Sequence, residues 1–165
     1  MSVREKELFP RLFTPELTFL NFVCKNSTDF FEKITDILLE KGYVKESFRQ
    51  AIQERERCYP TGLRTAPYHV AIPHTDPETI RKPFIAVIRP QTALQFYEMG
   101  TNEETVEARL LFLLGLNRSE AQVPLLQIMM EMFADQQMME RLLQETSEQR
   151  LLNVLHQYVV GRSLS

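Results

Sequence analysis

The chain has 165 residues, 44% hydrophobic and 25% charged, with 9 prolines and 5 glycines; a chain of this length forms one ordinary domain that buries about 70% of its unfolded surface. Nineteen basic against 22 acidic residues leave a formal charge of −3, which excludes a nucleic-acid binder built on a basic excess. The longest apolar run, Leu110 to Leu116, is far short of the roughly 20 residues a membrane span needs. The charged start MSVREKELFP does not resemble a signal peptide, and Cys24 and Cys58 form no metal or redox spacing. A reduced cytoplasmic protein with no membrane insertion is therefore expected. The glycines, at 42, 62, 100, 115 and 161, are too scattered for a Walker A loop or a dinucleotide fingerprint, both of which need glycines a few residues apart. If phosphate is handled here, it is not cradled by a Gly-rich nucleotide loop of the usual form.

In chain order, Leu17 to Val23 is aromatic and β-favouring and predicts a strand. Ser27, Thr28 and Asp29 offer caps for a helix carrying Phe30, Phe31, Ile34, Ile37 and Leu38 at helical spacing, ended by Gly42. A second helix is expected from about Glu46 to Arg57, with Phe48, Ala51 and Ile52 inward, stopping before Pro60. Tyr68 to Ile72 reads as a short strand ended by Pro73. Phe84 to Ile88 is an apolar run suited to a strand buried on both faces, and Leu94 to Tyr97 reads as a shorter one. Leu110 to Leu114 is either a central strand or a buried helix, which periodicity alone does not separate. The last 50 residues read as helical: Ser119 is a cap, Leu125, Leu126, Met129, Met132 and Phe133 form one face, and Leu142 to Leu155 supply one or two more helices. No repeat or linker divides the chain, so residues 1–165 form a single domain with its core at about 17–155. Strands interleaved with helices predict an α/β fold, a mixed central sheet flanked by helices on both sides.

The chemistry concentrates between Cys58 and Glu78, which hold four prolines and two of the three histidines, His69 and His74. They stand five residues apart, and an odd separation in a strand puts them on opposite faces unless Pro73 turns His74 round. Several readings are open at this point. One histidine could be structural and the other merely exposed. His69, His74 and Asp76 could hold a metal, although the spacing fits no standard zinc pattern. Cys58 beside Arg57 could be a nucleophile, without a motif to support it. Alternatively, a neutral imidazole could carry a phosphoryl group, since its pKa near 6.5 leaves a free nitrogen at pH 7. Phosphoryl transfer needs positioning and positive charge more than covalent help. Residues 49–89 carry Arg49, Arg55, Arg57, Arg64, Arg81, Lys82 and Arg89 against four acids, net +3 in an acidic chain.

The ordered set Arg55-Glu56, Pro60-Thr61-Gly62 and Val70-Ala71-Ile72-Pro73-His74 resembles the enzyme IIA domains of the sugar phosphotransferase system, in the mannitol/fructose class. The approach through Tyr43-Val44 and Phe48-Arg49-Gln50-Ala51-Ile52 is similar too, and the resemblance spans roughly residues 17 to 155. It implies that His74 is the phosphorylated histidine, that Arg55 neutralises the phosphoryl group, and that Thr61 is the nearby hydroxyl. The segment between Thr61 and His74 is longer than in mannitol and fructose members. Their second active-site histidine corresponds to Gln122 here. His69 in His-Val-Ala-Ile-Pro-His resembles the galactitol-type branch, which implies a helper role for His69 or Gln122.

The resemblance further implies a phosphotransferase that needs no metal or nucleotide. It would accept a phosphoryl group from the phosphocarrier HPr and pass it to a cysteine of enzyme IIB, for uptake of a sugar, such as a galactitol-like polyol, through enzyme IIC. The same family includes regulatory modules whose histidine phosphorylation controls a partner protein, and this is the alternative function. The remaining features keep structural readings: methionines 129, 130, 132, 138 and 139 as packing, Glu103, Glu104 and Glu107 as a solvated turn, and His156 as a surface residue on the last helix.

Overall fold

The computed structural model of the protein describes residues 9–118 and 122–163. Strand β1 spans Phe13–Phe22 and is followed by helices α1 (Ser27–Glu40) and α2 (Phe48–Cys58). Strands β2 (Gly62–Leu63) and β3 (His69–Ala71) form a small antiparallel pair, and a 3-10 turn at Pro77–Thr79 leads to β4 (Phe84–Pro90), β5 (Leu94–Tyr97) and the long β6 (Thr105–Gly115). Helices α3 (Gln122–Phe133), α4 (Gln136–Gln144) and α5 (Glu148–Ser163) complete the chain. The sheet runs β1-β4-β6-β3-β2, with β1 parallel to β4, β3 parallel to β6 and β4 antiparallel to β6; β5 also pairs antiparallel with β6. This is the expected mixed sheet with helices on both sides.

Alternation along the central strands sends side chains to two cores. Phe84, Ala86 and Ile88 of β4 and Leu111 and Leu113 of β6 face α1 and α2, packing with Phe30, Ile34, Phe48 and Ile52. Ile85, Val87, Leu110, Phe112 and Leu114 face α3 to α5, packing with Leu125, Met129, Leu142 and Leu155. The ambiguity at Leu110 to Leu114 is thus explained: a strand covered on both sides has no polar face to reveal a period of two.

β6 is longer than the apolar run because its first half alternates buried Val106 and Ala108 with exposed Glu107 and Arg109. A register shift lies between the pairs His69↔Ala108 and Val70↔Leu110. The extra residue, Arg109, explains why Val106 and Ala108 point to one core while Leu110 and Phe112 point to the other.

Gly115 closes β6 directly against Phe84, where an added Cβ would stand 2.0 Å from the ring. Phe84 is fully buried and cannot step aside. Gly115→Ala is expected to lower stability by about 2–3 kcal/mol, read as a lower urea midpoint with unchanged m-value.

Three local expectations change. The cap of α1 is Asn26, whose side chain accepts from the Asp29 N–H at 2.8 Å, while the Asp29 carboxylate accepts from the Lys25 N–H at 2.9 Å; this places the cap one residue before the Ser27-Thr28-Asp29 set. The strand β1 starts at Phe13, earlier than Leu17. His156 is half-buried, its Nε2 3.2 Å from the Phe13 carbonyl and its ring edge-on to Phe13, because α5 packs on β1. Of the methionines, 129, 132, 138 and 139 are core and Met130 is exposed. The cap expected at Ser119 lies outside the described residues.

Candidate active site at the end of β3

β3 ends at Ala71, but its pairing with β6 continues past Pro73. The Leu114 N–H donates to the Pro73 carbonyl at 3.0 Å, and His74 bridges in parallel to Leu114. His74 therefore stands at the carboxyl ends of two parallel strands, the customary ligand position of open α/β sheets. The ring is half-buried, and its Nδ1 lies 2.8 Å from the Ile72 carbonyl. A carbonyl can only accept, so Nδ1 carries the hydrogen and Nε2 carries the lone pair. Burial first, then the nearby Arg55 charge, lower the His74 pKa below its ordinary value, against the opposing pull of the Ile72 carbonyl. The ring is consequently neutral at pH 7, with a free, unprotonated nitrogen.

Arg55 and Glu56 come from the last turns of α2. Arg49 is bound by Glu32 and Asp36 at 2.6 Å each, and Arg57 pairs with Glu54 at 3.8 Å. Arg55 instead lies over the Tyr59 ring, 4.6 Å from its centroid, with a buried Nε that has no hydrogen-bond partner. Of the other cations of the 49–89 region, Arg64 bonds the Thr105 carbonyl, Arg89 bonds the Leu20, Leu142 and Glu145 carbonyls, Lys82 sits over Tyr43, and Arg81 is exposed. Arg55 is the cation of this set whose charge acts on His74.

Thr61 is buried, and its carbonyl accepts from the Ile72 N–H at 3.2 Å across the β2–β3 pairing. Its own N–H and hydroxyl both donate to Glu56, at 2.7 and 2.6 Å. The hydroxyl hydrogen is therefore committed to that carboxylate. Burial pushes the Glu56 carboxyl up to about 7, against the two Thr61 hydrogen bonds that hold it down. In the sequence, Glu56 stands out only as the neighbour of Arg55. Its signal was faint: an acid in the last turn of a helix, where the dipole disfavours negative charge.

His69 does not join this group. It pairs opposite Ala108, whereas His74 pairs opposite Leu114, and five residues of extended chain at about 3.3 Å each put the two roughly 16 Å apart. Its Nδ1 accepts from the Glu107 N–H at 3.3 Å. Gln122 is the first residue of α3, and its side chain lies outside the described residues. Asp76 and Cys58 are exposed, and among the described residues no three His, Cys, Asp or Glu side chains converge to hold a metal. Among the described residues no helix is long and apolar enough to cross a membrane. A groove of about 910 Å³ between α1, α2 and β5 is lined by Glu56, Gln53, Gln95 and Tyr97; His74 is not part of it.

Residues 11–158 match the family described as "Phosphoenolpyruvate-dependent sugar phosphotransferase system, EIIA 2". The chain belongs to this family. It is thus a phosphotransferase component of a sugar phosphotransferase system, in keeping with the motif resemblance. This enzyme IIA chain is 26% identical over 129 residues to the mannitol-specific cryptic phosphotransferase enzyme IIA component of Escherichia coli strain K12, covering 72% of this chain and 77% of that one. It is 28% identical over 89 residues to the galactitol-specific EIIA component of Escherichia coli strain K12, covering 54% of this chain and 59% of that one. Its fold matches the IIA chain in the solution structure of the complex of enzyme IIAMTL and phosphorylated enzyme IIBMTL from Escherichia coli, with a TM-score of 0.67 at 22% identity over 92% of this chain and all of that one.

Proposed function

We propose that this enzyme IIA carries a phosphoryl group on Nε2 of His74, taken from phosphorylated HPr and delivered to a cysteine of an enzyme IIB. The observation that carries the reading is the His74 ring itself: neutral, with Nδ1 bound to the Ile72 carbonyl and Nε2 free at the end of β3.

The Nε2 lone pair attacks phosphorus in line, and the bond to the HPr nitrogen breaks, leaving its electron pair on HPr. The Nδ1 hydrogen stays in place throughout. The His74 ring gains positive character as the new N–P bond forms, and the Ile72 carbonyl stabilises it. Arg55, with no carboxylate partner of its own, offsets charge on the equatorial oxygens. Transfer onward repeats the step with a IIB thiolate as nucleophile. Thr61 contributes as the link between Glu56 and the β3 strand rather than by donating its hydroxyl hydrogen to phosphate. Gln122 keeps the helper position the family pattern gives it. His69 serves the register of β3 on β6.

A cytoplasmic location follows from that chemistry, since HPr and phosphoenolpyruvate are cytoplasmic. The relatives named as mannitol-specific and galactitol-specific support a galactitol-like polyol as the sugar served. The test is to incubate the protein with phosphoenolpyruvate, enzyme I and HPr and weigh it intact. One added, acid-labile phosphoryl group is expected. No addition from a demonstrably active HPr would remove the carrier reading. Stable phosphorylation with no transfer to any IIB would favour the regulatory alternative.

A further inference from the structure

Glu56 spends stability in a way that packing does not explain. It is a half-buried carboxylate in the last turn of α2, where the helix dipole is negative and desolvation unfavourable. Conflicts of this kind persist where function requires them. What the carboxylate holds is one end of a continuous chain of hydrogen bonds. It accepts from both donors of Thr61, at 2.7 and 2.6 Å. The Thr61 carbonyl accepts from the Ile72 N–H at 3.2 Å, and the Ile72 carbonyl accepts from Nδ1 of His74 at 2.8 Å. Through the backbone of Thr61 and of Ile72, Glu56 is tied to the ring that presents Nε2.

We propose that Glu56 is a positioning residue for His74, acting through Thr61 and Ile72, and that its ionised form is the one that holds the acceptor geometry. This inference rests on His74 being the phosphoryl acceptor. An ionised carboxylate offers both oxygens to the Thr61 N–H and O–H at once. A proton on either oxygen removes one acceptor, and the Thr61 hydroxyl must turn away or accept instead. The β2–β3 link then loosens at the point from which Ile72 aims its carbonyl. With its carboxyl raised to about 7 by burial, Glu56 changes state near neutral pH, above the range in which His74 itself titrates.

The charged and titratable groups around Glu56 do not compete for it. Arg57 and Glu54 pair with each other on α2, Arg49 and Glu32 pair between α2 and α1, and Glu46 and Tyr97 line the same groove without a hydrogen bond to Glu56 among the described residues. Arg55, the neighbour in sequence, stacks on Tyr59.

Glu56→Gln reproduces the neutral acid in shape. The test compares single-turnover phosphorylation of wild type and E56Q by the same phospho-HPr between pH 6 and 8.5, so that the donor's titration cancels in the ratio. Wild type is expected to be roughly tenfold faster at pH 8, and the advantage should shrink towards unity by pH 6, with its midpoint near 7. A ratio of one at pH 8 would overturn the proposal. A ratio above one that ignores pH would reduce Glu56 to a structural residue.

The same coupling is measurable in unsubstituted protein by NMR. The Thr61 amide and the His74 ring nitrogens should both show an inflection near pH 7, above the ring's own titration; its absence would also overturn the proposal. Because this measurement needs no phosphoryl donor, it separates failure of the positioning role from failure of the carrier reading, which would appear as unphosphorylated wild type.

Discussion

His74→Ala is expected to abolish phosphoryl acceptance entirely, leaving no acid-labile phosphate by intact mass where wild type gains one group. The argument is chemical. The other histidines of this chain are His69 and His156; His69 is bonded to the Glu107 amide and His156 to β1. Neither has the combination found at His74, a fixed Nδ1–H and a free Nε2 at the carboxyl ends of two parallel strands. The substitution should be tolerated by the fold, because the side chain lies half-buried at the sheet end while β3 and β6 are held by backbone pairing through Pro73. An unchanged far-UV spectrum and thermal midpoint would verify that. Substantial residual labelling of a folded H74A would transfer the carrier role elsewhere. A nitrogen-15 titration of wild type should show the His74 ring losing its extra proton below the ordinary 6.5.

The second large effect is expected at Arg55. Removing one preorganised charge from a phosphoryl-transfer site costs roughly 10²- to 10³-fold in rate, and Arg55→Gln should fall in that range. The loss should appear in the rate of the chemical step more than in the affinity for phospho-HPr, because the guanidinium meets charge that develops on the phosphoryl oxygens rather than a ground-state partner. Pre-steady-state kinetics separates the two. A variant with weakened affinity and an unchanged maximal rate would make Arg55 a docking residue. Tyr59 bears on the same measurement. Its ring supports the guanidinium at 4.6 Å and is itself exposed, so Arg55 is aimed partly by a residue at the protein surface.

Much of the frame was legible in the sequence because the signals are local. Helical spacing of Phe30, Ile34 and Leu38, the apolar run at Phe84 to Ile88, and Pro73 ending a short strand each depend on neighbours a few residues away. β2 was not legible: Gly62 and Leu63 are too few to show a pattern, and they are a strand only because Val70 and Ala71 lie opposite. The start of β6 was passed over since Thr105 to Arg109 has charged residues at every second exposed place, and the following run masked its period. A helper role for His69 is implied by the His-Val-Ala-Ile-Pro-His resemblance, whereas extended backbone carries residues apart quickly and β3 holds His69 and His74 at different levels of β6. Glu56 went without a role because its partner, Thr61, reaches it only after the chain turns at Pro60.

The order of Arg55, Thr61 and Ile72-Pro73-His74, together with the layering of helices on a mixed sheet, was determined by the sequence alone, since motif spacing and apolar periodicity are written in consecutive residues. The tertiary structure decided which side chains share the site. It left Arg55 without a carboxylate beside the salt-bridged Arg49 and Arg57, placed His69 and His74 at different levels of β6, fixed which nitrogen of His74 is free, and connected Glu56 to that ring. These outcomes depend on strand register and burial, which are properties of residues distant in the chain that meet only when the sheet is formed.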